Sequence, residues 1–70
     1  MDQIENIGKN IRICRKEAGL SQPQLAKLVG VSHAAISYWE NGVNIPNVRD
    51  CWLIADVLQI SIDQLVGRKD

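Results

Sequence analysis

Seventy residues, with eight basic and eight acidic side chains and no net charge, make one domain at most and leave no room for a catalytic domain beside a binding domain. An apolar share of 46% is that of a folded globule rather than a disordered tail, and no run approaches the roughly 18 apolar residues of a membrane span. The start, Met1-Asp2-Gln3-Ile4-Glu5-Asn6, is acidic and polar, unlike the basic and then apolar start of a signal peptide, which predicts a cytoplasmic protein.

The periodicity predicts five helices and no sheet. A first helix is expected from Ile4 to Ala18, because Ile4, Ile7, Ile11 and Cys14 share one face at helical spacing. Gly19 follows it, at a position suited to left-handed backbone. Ser21 and Gln24 form a capping-box pattern at the head of a second helix, with Pro23 tolerated in its first turn. Leu25, Ala26 and Val29 are its core positions, and Gly30 stops it. Ser32 caps a third helix that ends at Asn41-Gly42. Ile45-Pro46 reads as an extended link. Asn47 caps a fourth helix reaching Gln59, with Val48, Cys51, Ile54, Ala55 and Leu58 inward. Ser61 caps a short last helix that holds Ile62 and Leu65 and ends at Gly67.

The informative spacing lies between Gln22 and Asn41. Two short helices that cross steeply through a tight turn need a small residue at the crossing, which Ala26 supplies, and a turn residue free to adopt positive φ, which Gly30 supplies. Val31 plugs the corner, and Ile36 and Trp39 anchor the second helix of the pair from beneath. His33, Ala34, Ser37 and Tyr38 are left on its outer face, where they suit the base edges of a DNA major groove. This is the pattern of a helix-turn-helix.

From Ile7 to Leu65 the chain resembles the Cro/repressor-type (XRE-like) helix-turn-helix domain of phage and bacterial regulators. The matching residues include Ile7-Gly8, Ile11-Arg12, Arg15, Gly19-Leu20-Ser21-Gln22, Leu25-Ala26, Gly30-Val31-Ser32, Ile36-Ser37, Trp39-Glu40-Asn41-Gly42, Pro46, Ile54-Ala55, Leu58 and the tail 60–65. The resemblance implies an all-α, five-helix lambda-repressor-like domain spanning residues 1–70, with its helix-turn-helix at 22–41. It implies a transcriptional regulator, a repressor above all, that binds an inverted-repeat operator in double-stranded DNA as a homodimer, with half-sites about one helical turn apart. Gln22 and Asn41 take the positions of phosphate contacts, His33, Ala34, Ser37 and Tyr38 those of base contacts, and Arg15 and Glu40 those of a buried ion pair. Two departures stand out. The segment Gly42-Val43-Asn44-Ile45 has none of the cations that many relatives carry there, and the base-reading face has no arginine, lysine or glutamine.

Zero net charge weighs against DNA binding, since phosphate contacts supply much of the affinity. The distribution offsets this slightly. Through Gly42 there are five cations against four anions, and from Val43 three against four. Lys9, Arg12, Arg15 and Lys16 lie together with no acid among them, and Arg12 is the further phosphate candidate.

Trp52 and Leu53 are apolar where the family pattern is exposed or polar, as are Ile13 and Leu28; Trp52, Leu53 and the last helix are the expected dimer contact. The alternative function is a protein-interaction module or an antitoxin, using the same scaffold and an apolar face. An enzyme is not expected, because there is one histidine, no nucleophile–base pair and no glycine-rich phosphate loop. Nor is a cofactor, a metal or a small-molecule substrate expected. Cys14 and Cys51 stand outside any CxxC pair and read as free thiols, and His33 alone adds too few ligands for zinc.

Overall fold

The computed structural model describes residues 7–67. Five helices occupy them: α1 (Ile7–Glu17), α2 (Gln22–Val29), α3 (His33–Glu40), α4 (Val48–Leu58) and α5 (Ile62–Val66). No strand occurs among the described residues, and none of these helices is long and apolar enough to cross a membrane. The proposed start of the first helix at Ile4 lies outside the described residues.

Helices α2 to α5 each begin where the sequence offers a cap. The Ser21 hydroxyl accepts from the Gln24 amide at 3.1 Å, and the Gln24 side chain accepts in return from the Ser21 amide at 2.7 Å. Ser61 and Gln64 repeat this reciprocal box at the head of α5. Ser32 and Asn47 cap α3 and α4 through the amides three residues on. Each such cap satisfies an amide that the helix itself cannot pair, contributing roughly 1 kcal/mol.

The core is built one residue per helix. Ile11, Leu25, Ile36, Ile54 and Leu65 come from α1 to α5 in turn, and each is fully buried. Ile7, Ala26, Val29, Trp39, Ala55 and Leu58 close around them. α2 packs on α3 and α4, while α1 packs on α3, α4 and α5. A side-chain bond also ties the ends of the fold together, as Asn10 Nδ2 donates to the Leu65 carbonyl at 3.1 Å. Cys14 and Cys51 are free thiols, each half-buried. Burial first, and then Glu17 beside one and Asp50 beside the other, push both thiols up from their ordinary value, which suppresses the reactive thiolate.

Two expectations are corrected. Val48 is not a core residue but is 80% exposed. It is the first residue of α4, directly after the Asn47 cap, and the entry to the helix is covered instead by Pro46, which is buried. The fourth helix ends at Leu58, and Gln59 is its C-cap with φ 60, the one described non-glycine residue in left-handed backbone. Its amide donates to Ala55 and Asp56, and its side chain donates to the Asp56 carbonyl at 3.0 Å. Left-handed backbone costs a side-chain-bearing residue about 1–2 kcal/mol, so Gln59→Gly is expected to raise stability by about 0.5–1 kcal/mol after the lost side-chain bond and the freer unfolded chain are deducted. Chemical denaturation checks this. A lower midpoint would mean that the bond to Asp56 outweighs the backbone strain.

Candidate nucleic-acid interface

The α2–α3 unit sets the geometry. Gly30 closes α2 at φ 86, with its amide donating to the Ala26 carbonyl, and Val31 donates to the same carbonyl at 3.0 Å. The chain therefore reverses within two residues of α2 and delivers Ser32 to cap α3. Ala26 is buried at the crossing and Val31 is half-buried against the core. With Ile36, Trp39 and Glu40 facing in, α3 turns His33, Ala34 and Tyr38 to solvent, while Ser37 is half-buried. These four residues, spaced i, i+1, i+4 and i+5, share one helical face.

Glu40 organises the polar side of the interface. Its side chain is fully buried, and both oxygens are occupied. Arg15 Nε donates to Oε2 at 2.6 Å and its terminal nitrogen to Oε1 at 3.1 Å, a two-point ion pair. The other terminal nitrogen of Arg15 donates to the Leu20 carbonyl at 2.8 Å, so the guanidinium also seals the turn between α1 and α2. Burial pushes the Glu40 carboxyl up, but hydrogen bonds from Arg15, Gln22 and Arg12, with the charge of Arg15, outweigh it and hold the group below its usual range. Hydrogen bonding to Glu40 raises Arg15 despite its burial.

The same carboxylate gathers the phosphate candidates. Gln22 Nε2 donates to Glu40 Oε1 at 3.0 Å. Arg12 Nε lies 3.4 Å from that oxygen, and its terminal nitrogen donates to Asn41 Oδ1 at 3.2 Å. Asn41 Nδ2 donates to the Ser37 hydroxyl at 3.3 Å, and His33 Nε2 meets Gln22 Oε1 at 3.0 Å. Arg12, Gln22, Asn41, His33 and Ser37 are thus one connected network with Glu40 at its centre. Ala34 and Tyr38 stand beside it without polar bonds to it. No buried side-chain nitrogen or oxygen among the described residues lacks a partner.

The pairing of Arg15 with Glu40 is the one that the family resemblance implies. The linkage of Arg12, Gln22, His33 and Asn41 through Glu40 is not legible in the sequence as a network. A signal was present, since Glu40 is the one acid between Glu17 and Asp50, and it meets two cations of the first helix, Arg12 and Arg15.

The expected dimer contact divides. Trp52 is 66% exposed and lines a shallow groove of about 180 Å³ with Ala55, Asp56, Ile60 and Ile62, whereas Leu53 is half-buried against the core. Ile13 and Leu28 are exposed as expected. Among the described residues no group of His, Cys, Asp and Glu is placed to hold a metal ion.

Comparison with known proteins agrees with this geometry. A family model described as helix-turn-helix matches residues 11–65. Repressor protein C2 of Salmonella phage P22 is 40% identical over 60 residues, which is 86% of this chain and 28% of that protein. The transcriptional repressor RstR of a cryptic phage in Vibrio cholerae is 39% identical over 54 residues, 77% of this chain and 48% of that protein. The chain therefore spans less than half the length of either relative. The crystal structure of the P22 c2 repressor with a synthetic operator superposes with a TM-score of 0.80 at 41% identity, covering 84% of this chain and 89% of that one. With five helices, a Gly30-centred turn and this match over residues 11–65, the chain belongs to the helix-turn-helix family of the Cro/repressor type.

Proposed function

We propose that this chain is a sequence-specific DNA-binding regulator of transcription, a repressor that acts in the cytoplasm by occupying an operator and carries out no catalytic step. α3 enters the major groove, and His33, Ala34, Ser37 and Tyr38 read base edges there. Gln22, at the first position of α2, and Asn41, just past α3, hold phosphates on either side, with Arg12 as the adjoining cation. The single observation that carries this reading is the exposed face of α3, framed at both ends by side chains of one hydrogen-bonded network. The P22 repressor in complex with operator DNA has the same fold.

The network also accounts for how a neutral protein can bind a polyanion. Arg12 is bonded to Glu40 and Asn41 yet keeps 45% of its side chain in solvent, and Lys9 and Lys16 are exposed on the same helix. Asp50, Asp56 and Asp63 lie on α4 and α5. With no net charge per subunit, affinity depends on two half-sites held together, since linking two weak contacts multiplies their effect. Trp52 and the groove beside it form the dimer contact, and Leu53 supports it from beneath.

Selection of bound sequences from a random duplex pool near physiological salt tests this. The expected product is an inverted repeat with half-sites about one helical turn apart, bound less tightly as salt rises. Trp52→Ala is expected to lower the concentration-dependent mass and the selected symmetry together. No enrichment by a folded protein would overturn the DNA reading and leave a protein partner on the Trp52 groove as the function.

A further inference from the structure

The amide of Gln22 is held at both ends, and its neighbours allow one orientation. Glu40 is ionised against Arg15, so its oxygens only accept. The Gln22 group 3.0 Å from Glu40 Oε1 must therefore be the NH2, and the group turned to His33 Nε2, also at 3.0 Å, must be the carbonyl oxygen. A flipped amide would set an oxygen against the carboxylate. Because the carbonyl oxygen only accepts, His33 Nε2 must carry the hydrogen. This assigns the ring. When His33 is neutral its single proton is on Nε2, and Nδ1 is a bare acceptor. When His33 is charged Nδ1 becomes a second donor. Nδ1 makes no hydrogen bond among the described residues, and His33 is the exposed first residue of α3.

We propose that His33 reads its base through Nδ1, and that protonation inverts what it reads, from the N4 amine of cytosine when neutral to the O6 or N7 acceptors of guanine when charged. This rests on α3 lying in the major groove. Histidine is the one side chain whose ordinary titration falls between about pH 5 and 8. The groups around it are few. α2 presents the neutral Gln22, behind which stand Glu40 of α3 and Arg12 and Arg15 of α1. Lys27, the one cation of α2, makes no bond to it among the described residues. Binding to a guanine-bearing site therefore needs the charged ring, and binding to a cytosine-bearing site the neutral one.

His33 is the one histidine of the chain, so its ring nitrogens can be followed by NMR without ambiguity. At about pH 8 the free protein is expected to show the proton on Nε2; a ring protonated chiefly on Nδ1 would overturn the proposal before any DNA is added. Operator selection at about pH 8 and about pH 5.5 is the second measurement. One position in each half-site is expected to shift towards guanine at the lower pH by about tenfold, with the rest of the operator unchanged, and His33→Ala, folded by circular dichroism, is expected to bind more weakly and to lose both the base preference at that position and its dependence on pH. The same base at that position at both values, or a shift that survives His33→Ala, would overturn the inversion while leaving the DNA reading intact. Failure to select any operator at either value would overturn both.

Discussion

Glu40→Gln is expected to destabilise the protein by about 3 kcal/mol and to lower DNA affinity beyond what the loss of folded protein explains. The substitution is nearly isosteric, so it opens no cavity. What it removes is the charge that neutralises Arg15, whose side chain is 9% exposed. Removing one partner of a buried ion pair costs about 3–5 kcal/mol, because the other charge is left desolvated and unpaired; here the remaining bond to the Leu20 carbonyl places the loss at the lower end. A domain this small has a total of about 5 kcal/mol to lose. The pH dependence follows from the same carboxylate. Its folded value is held below its unfolded one, so its contribution is fully present above the ordinary glutamate value of about 4.3 and is lost as pH falls through the folded value. Glu40→Gln is expected to flatten that part of the acid denaturation curve. An acid limb unchanged by the substitution would show that other carboxylates carry it.

A second variant separates stability from function. Replacing both partners with apolar residues of similar size, Arg15→Met with Glu40→Leu, is expected to recover most of the stability, since buried ion pairs often break even against well-packed apolar side chains. DNA binding should not recover with it. Gln22 and Arg12 would have lost the oxygen that positions them, and through Arg12 and Gln22 the loss reaches Asn41 and His33. If affinity returned along with stability, the network would be structural only.

How far the sequence could be read depended on the range of the interactions. Helix starts were legible because caps act over three residues, as at Ser21, Ser32, Asn47 and Ser61. Core positions were legible where a helix is covered along its length, as with Ile11, Leu25, Ile36, Ile54 and Leu65. Val48 failed because period alone does not say where the covering layer ends. Gln59 failed because its left-handed backbone is imposed by the junction of α4 and α5 rather than by its own preference, which would favour glycine there. For the interface, the outer face of α3 was legible from its own period. The junction of Arg12, Gln22, His33 and Asn41 on Glu40 was not, because it joins three helices through side chains whose contact depends on how closely α1 and α3 approach.

That approach depends on Gly8. A Cβ built there would lie 2.0 Å from the Trp39 carbonyl oxygen, 3.1 Å from its carbon and 3.2 Å from the Glu40 carbonyl carbon. The clash is with backbone, which no rotamer change relieves, so Gly8→Ala requires α1 to move away from α3. The ordinary helix propensity gain of alanine over glycine, about 1 kcal/mol, acts in the opposite direction. Overpacking costs typically about 1–3 kcal/mol and sometimes more, and here the displaced helix also carries Arg15 away from its 2.6 Å bond to Glu40. A net loss of about 2 kcal/mol is expected, and with it a fall of roughly 10 °C in melting temperature for a domain of this size. Gly19→Ala is the comparison. Its φ is +76, and nothing lies within 4 Å of its Cβ position, so it should cost only the backbone strain of about 1–2 kcal/mol and leave DNA affinity per folded molecule unchanged. Gly8→Ala should lower that affinity as well, because the bonds of Arg12 to Glu40 and Asn41 are set by the α1–α3 distance. If both variants lost stability but neither lost affinity, the network would tolerate the shift of α1, and close approach of the two helices would serve the fold alone.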